Sequence, residues 1–420
     1  MKAKGKACLL LLALILVALP VLSACAREKE EVITIHQLPC LTGPWAAVAS
    51  PGFRGAEVYM RYVNEELGGI AGRKVEYKWA DTGYQAERTL SIYDRYKAEN
   101  PLVVIIYGSP DGEALKPKLE ADKIPGFNFG QSDAQIFPPA YNFIWGVPYV
   151  DAFVRYMEWL VQQRAPERPK LALVMLEYGW SLIHKTAAEQ LADRIGIDFV
   201  DSEVISVAPT DLTTMLTRFH ENGVTDIYMS ITSAGFAVAA ANLVELGYAD
   251  EMTMTNFWWG PIDELAESIG DKAIGMRNLT PWRSRYEAAT DAGVKTVVDY
   301  YNKLYAEPPK MAVITGWMGM ELVFEAIRRA IEEVGYENLT GEAVKEGFES
   351  ITDFEGIIHP KVTLGPGQRV TNNKLRIMEV QKDPDTGELK PMPITDWFEV
   401  TVLPRDAEGN ILWDQYTPPQ

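Results

Sequence analysis

Positive charge is the scarcer sign in this sequence. The 420 residues carry 40 Lys and Arg against 58 Asp and Glu, a formal net charge of −18. Such a surface repels polyanions, which argues against nucleic acid or an acidic membrane face as partner. Histidine is rarer still: His36, His184, His220 and His359 stand far apart, with none of the paired spacings that hold a metal. Histidines so isolated are expected at the surface or at helix caps. No phosphate-binding Walker loop, complete G-x-G-x-x-G or G-x-S-x-G nucleophile turn occurs, which argues against catalysis, although distant residues can assemble a triad. Of the three cysteines, Cys8, Cys25 and Cys40, no pair is expected to form an internal disulfide, so core packing has to supply stability. Cys40 is expected as a small buried hydrophobe rather than a reactive thiol. No internal repeat or low-complexity tract is evident. The one long aliphatic run, Leu9 to Leu19, is shorter than the roughly 20 residues that span a bilayer.

What is present begins with that run. Lys2, Lys4 and Lys6 precede it, and Pro20 and small residues follow, the pattern of an export signal over residues 1–24. Leu22-Ser23-Ala24-Cys25 resembles the bacterial lipobox, in which the cysteine is lipidated and becomes the first mature residue. An ordinary cleaved signal that contains a cysteine is the alternative. Residues 25–31, with the charged stretch Arg27 to Glu31, then read as a tether. Loss of the signal leaves 37 basic against 58 acidic side chains, so the mature surface is more acidic still.

With 47% hydrophobic and 10% aromatic residues, burial is well supplied, and the length exceeds what one core usually organises. Two lobes are therefore expected. Ile33, Ile35 and Leu38 mark a strand that breaks at Pro39, Gly43 and Pro44. Phe53, Ala56, Met60, Val63 and Leu67 recur at helical spacing and stop at Gly68-Gly69. Val75, Tyr77 and Trp79 alternate as a second strand. This β-loop-α-β unit puts its loop at the carboxyl end of a strand, where open α/β sheets bind ligands. Further strands are expected at 102–107, 124–129, 171–176, 198–205, 226–231 and 273–279, with helices at 182–195, 211–221, 292–306 and 313–334. In Gly108-Ser109-Pro110, the serine reads as an N-cap and the proline as the first helical residue.

Thr42-Gly43-Pro44, Gly55-Ala56, Val63-Asn64 with Gly68-Gly69-Ile70 and Gly72, and Asp81-Thr82 resemble, in order and spacing, the opening of the Leu/Ile/Val-type substrate-binding proteins of ABC importers, which are type I periplasmic binding proteins. The likeness continues more thinly to about residue 380. It implies an α/β fold of two lobes, each a mainly parallel sheet flanked by helices, joined by three crossovers. The expected boundaries are 32–147 with 281–353 for lobe one, 148–280 with 354–402 for lobe two, and a tail over 403–420. Passages between lobes are expected near Gly146-Val147-Pro148, Pro281-Trp282 and Phe354–Pro360.

The resemblance also implies a site. Ser109, and Gly130 with Ser132, match the residues that grip the ligand's carboxylate, and unpaired amides at a helix N-terminus suit that task. The bland alternative is that both serines only cap helices. Asp111 and Glu113 in the same first turn would repel an anion unless they point away. Tyr178, between Glu177 and Gly179, matches the tyrosine that closes over the ligand. Where the family places a carboxylate for the ligand's ammonium, this chain has Trp258 or Trp259, leaving Asp263, Glu177 or Asp81 as other sources of that charge. Trp45, Trp180, Trp258 and Trp259 all fall in or beside strand-end loops, which favours an aromatic-walled cleft. The function implied is capture of a small amino-acid-like, carboxylate or amide solute for an ABC permease and its ATPase subunits, with no cofactor, by a protein lipid-anchored outside a bacterial membrane. A ligand-sensing receptor or a secreted hydrolase are the alternatives.

Overall fold

The computed structural model describes residues 31–418, so the export signal, Cys25 and residues 25–30 of the tether lie outside the described residues. Strands β1 (Val32–Leu38), β2 (Lys74–Trp79), β3 (Val104–Ile106), β4 (Gly126–Asn128) and β5 (Asn142–Ile144) form a wholly parallel sheet in the order β2-β1-β3-β4-β5. Helices α1 (Ala46–Glu66), α2 (Ala86–Lys97) and α3 (Ser109–Asp122) connect them. The continuous apolar run that contains β3 is buried because helices cover both faces of a parallel sheet.

The second lobe alternates in the same way: α4 (Tyr149–Arg164), β6 (Lys170–Leu176), α5 (Gly179–Ile195), β7 (Asp198–Ile205), α6 (Thr213–Glu221), β8 (Asp226–Ser230), α7 (Ser233–Glu245), β9 (Thr253–Asn256), α8 (Ile262–Ile269) and β10 (Arg277–Thr280). Its sheet runs β7-β6-β8-β9-β10 and is parallel, then continues into antiparallel β11 (Lys374–Lys382) and β12 (Leu389–Pro393), with β13 (Phe398–Glu399) also pairing β11. The first five strands of each lobe thus share one winding order, second-first-third-fourth-fifth, a topological repeat that the sequence does not display.

After β10 the chain returns to lobe one through α9 (Ala292–Leu304), α10 (Met311–Val334) and α11 (Gly341–Glu349). Here α10 crosses α1 at very close range. A Cβ built on Gly55 would lie 2.0 Å from the Val313 carbonyl oxygen, and one on Gly316 would lie 2.0 Å from that of Gly52. Only glycines permit this crossing, which brings the N-terminal end of α10 to the cleft.

The third passage between lobes differs from the expected one. Val370 bridges Ile144 in parallel, with Ile144 N donating to Arg369 O at 2.9 Å, so the stretch through Thr371 extends the edge of the lobe-one sheet. The chain changes sheets at Asn372–Asn373, immediately before β11, and not at Phe354–Pro360. The physical reason is the buried Glu321 of α10, whose carboxylate accepts the backbone amides of Ile357 and His359, each at 2.9 Å, and so pins residues 354–360 to lobe one. The tail is irregular but fastened. Leu403 N donates to Asp151 Oδ1 at 2.8 Å, and the Arg405 guanidinium reaches Asp151 of α4 at 3.1 Å and Asp133 of lobe one at 3.4 Å.

Candidate functional site

The carboxyl edges of the two sheets face each other across a closed cleft containing a cavity of about 30 Å³, room for roughly two water molecules. Residues from both lobes line it. Lobe one contributes Cys40, Trp45, Val48, Ala49 and Gly52 from the first loop and α1, Tyr84 from the loop after β2, Tyr107 and Ser109 after β3, Phe129 and Gly130 after β4, and Ala312 and Thr315 from α10. Trp180 of α5 and Trp259 of the loop after β9 come from lobe two, with Tyr149 at the start of α4. None of these lining side chains is charged.

The lobe-one wall is built by loop-fixing hydrogen bonds. Asp81 accepts from Leu41 N at 2.7 Å, Thr42 Oγ1 at 2.6 Å and Gly83 N at 3.0 Å, stapling the first loop to the loop after β2. Those donors hold the Asp81 carboxyl below its usual range against the opposing effect of its partial burial. Tyr84 follows in the left-handed region at φ 61°, a conformation that costs a non-glycine residue of order 1–2 kcal/mol. That geometry sends its phenol into the cleft, an observed strain at a candidate site. At α3 the cap is Gly108 and not Ser109, with Pro110 in the first turn and no side-chain cap bond, and the Ser109 hydroxyl pairs instead with the Tyr149 phenol. Gly130 packs against Ser109 so closely that a Cβ there would lie 2.5 Å from Ser109 N.

Asp111 occupies the same first turn and is fully buried. Its carboxylate accepts from Thr89 Oγ1 at 2.8 Å and Thr82 Oγ1 at 3.2 Å, turned away from the cavity, yet burial pushes its pKa up to about 6. Burial likewise raises the Cys40 thiol, which stays protonated and apolar.

The lobe-two wall is aromatic. Trp180 Nε1 donates across the cleft to Tyr84 Oη at 3.1 Å, and Trp259 Nε1 donates to Tyr149 Oη at 2.9 Å. Trp45 of lobe one meets Trp180 edge-on with ring centroids 5.4 Å apart, while Phe257 stacks behind Trp180 at 5.4 Å. These bonds satisfy the indole N–H groups of Trp180 and Trp259. The buried Nε1 of Trp45 has no partner.

Of the residues singled out from the sequence, Ser109, Gly130, Trp45 and Trp259 line the cavity, as does Trp180. Three others stand back. Ser132 is buried beside Glu113, whose carboxyl is raised by burial. Tyr178 stacks on Trp180 at 5.8 Å from outside the lining. Trp258 is fully buried behind Tyr149, at 5.3 Å. Tyr84, Tyr107, Tyr149 and Thr315 were not foreseen. Tyr84 lies two residues beyond the Asp81-Thr82 pair, a signal that was on hand, whereas Thr315 reaches the site only through the helix crossing.

The three alternative sources of negative charge are placed elsewhere. Asp81 is bound into its loop, Glu177 is exposed, and Asp263 is buried against Arg285 at 3.9 Å. The four histidines remain apart, but the expectation of surface or capping positions is corrected for three of them. His36, His184 and His359 are buried in the core, where burial lowers each pKa, to about 4 for His184 and His359.

Two sheets of like winding, with an uncharged cavity between their carboxyl edges, define a two-lobed binding fold. Residues 32–386 match the family model for periplasmic binding proteins, and the chain belongs to that family. Among solved structures it is similar to a fatty acid ABC transporter substrate-binding protein from Thermomonospora curvata, at 20% identity and a TM-score of 0.76, covering 93% of this chain and 96% of that one. It is also similar to a branched-chain amino acid ABC transporter from Thermus thermophilus with bound valine, at 20% identity and 0.76, covering 88% and 97%. A third is a solute-binding protein of an ABC transporter from Rhodopseudomonas palustris in complex with 3,4-dihydroxybenzoic acid, at 17% identity and 0.75, covering 88% and 98%. A search of curated protein sequences gives no significant match.

Proposed function

We propose that this protein captures a small solute, amino-acid-like, carboxylate or amide in kind, between its lobes and delivers it to an ABC permease powered by partner ATPase subunits. The observation that carries the reading is the cavity lined from both lobes and bridged by the Trp180–Tyr84 hydrogen bond. A cavity of about 30 Å³ admits a solute only when the lobes part, and contacts to both walls then favour reclosure. The role is binding without covalent chemistry. Attachment outside the membrane through acylated Cys25 completes the proposal, and Cys25→Ser is expected to leave the chain unprocessed and without lipid.

Native mass spectrometry tests the capture role. Protein stripped of ligand by unfolding and refolding is exposed to a bacterial metabolite extract. One small molecule per chain, unchanged in mass after long incubation, is expected. A retained molecule that is converted, or no retained mass from any extract, contradicts the reading.

A further inference from the structure

Resting on the reading of the cleft as a solute site, we propose that its ligand is a small uncharged molecule with a planar aromatic face and a hydrogen-bond acceptor, and that the cleft selects against carboxylates and zwitterions.

The first support is the kind of polar group on offer. Trp45 is 6% exposed, its ring lines the cavity, and its Nε1 is buried without a partner. A buried donor of this kind is costly when unpaired, so a ligand that accepts from it is favoured over one that cannot. The Tyr84 and Tyr149 oxygens already accept from Trp180 and Trp259, which leaves the Tyr84 phenol its proton to donate and leaves one free proton to the hydrogen-bonded pair of Tyr149 and Ser109. The polar groups of the wall are therefore biased toward donation, and their complement is an acceptor such as a carbonyl.

The second support is the charge around them. The lining contains no cation to pair with a carboxylate and no anion to pair with an ammonium. Burial of a carboxylate or of a hydrogen-bonding ammonium without a counter-charge is strongly unfavourable. The N-terminal end of α3 would ordinarily attract an anion, but the Asp111 carboxylate lies within its first turn and offsets the helix dipole. Asp111 is engaged by Thr82 and Thr89 and does not reach the cavity, so it is not available to an ammonium. What remains is apolar ring surface, which rewards a flat ligand inserted between indoles.

Calorimetric titration of the full-length ligand-stripped protein tests this with four probes: benzamide, benzoate, phenylalanine and choline. Benzamide is expected to bind at least tenfold tighter than benzoate and phenylalanine. Trp45→Phe keeps a ring while removing the donor, and should weaken benzamide by about fivefold to tenfold. Should that variant fail to fold, Ser109→Ala carries the same test, with a similar loss expected. Tighter binding of benzoate, phenylalanine or choline than of benzamide overturns the uncharged class and leaves solute capture standing. Failure of benzamide to bind below about 10 mM also overturns the class, and capture is then judged independently by the solute mass retained in native mass spectrometry.

Discussion

The two walls of the cleft arise from sheets of identical winding and yet solve different problems. Lobe one presents mixed chemistry: the Ser109 hydroxyl, the close-packed Gly130 turn, a strained Tyr84 and, just behind them, the buried acid Asp111. Lobe two presents indole, with Trp180 and Trp259 aimed by hydrogen bonds to tyrosine. The difference teaches that topology sets where the loops point, while loop chemistry sets what each wall does. On this account lobe one reads the solute and lobe two acts as its lid.

The largest expected effect comes from breaking the frame behind the lobe-one wall. In Gly316→Ala the new methyl lands 2.0 Å from the Gly52 carbonyl oxygen, and the α1–α10 crossing must separate, costing about 4 kcal/mol in urea unfolding. Removing the lid should act differently. Trp180→Ala deletes a buried ring and is expected to cost about 3 kcal/mol of stability, while solute affinity falls roughly a hundredfold. A variant that lost stability but kept affinity would contradict the lid assignment.

Acid dependence sharpens the contrast, because two of the three strongly perturbed buried acids belong to lobe one. Asp111 and Asp151 are pushed up to about 6 and Glu321 to about 7. A folded-state carboxyl pKa above the unfolded value means that the native state holds protons that the unfolded chain releases. The contribution of each such carboxyl is then most favourable at the acid end of the window from about pH 4 to 7 and falls as pH rises through it, by on the order of 3 kcal/mol per group. The buried histidines His184 and His359, held near 4, act in the opposite sense below about pH 6.5, so melting temperatures from pH 5 to 8 are compared between the wild type and a variant lacking one acid. Asp111→Asn should gain melting temperature relative to the wild type as pH rises through about 6, and a difference that stays flat from pH 5 to 8 would refute the assignment. The smallest effect is expected from Tyr84→Phe. It leaves the Trp180 N–H without its cross-cleft acceptor and should cost about 1 kcal/mol, seen as a modest drop in melting temperature.

The frame of the molecule could be read from residue pattern because burial enforces it. The first strand, the helix through Phe53 and Val63, and the buried runs at 102–107 and 171–176 fall where apolar periodicity puts them. Strand β10 starts later than expected, since Gly270 and Gly275 adopt positive φ and the intervening residues form a turn of 3₁₀ helix instead. The site was less legible. Trp258 and Trp259 are adjacent in an irregular loop with no period to say which faces inward; the backbone turns Trp259 to the cavity and Trp258 to the core. The mistaken passage at Phe354–Pro360 has a similar origin. A glycine- and proline-bearing stretch reads as a linker, and nothing local reveals that Glu321, more than thirty residues earlier, will gather its amides.

The central claim, that the two walls close on a solute, is tested most directly by small-angle X-ray scattering of the ligand-stripped protein before and after saturation with the solute recovered by native mass spectrometry. The account predicts a smaller radius of gyration on loading, with the change diminished in Trp180→Ala. An unchanged radius of gyration at saturation would contradict it.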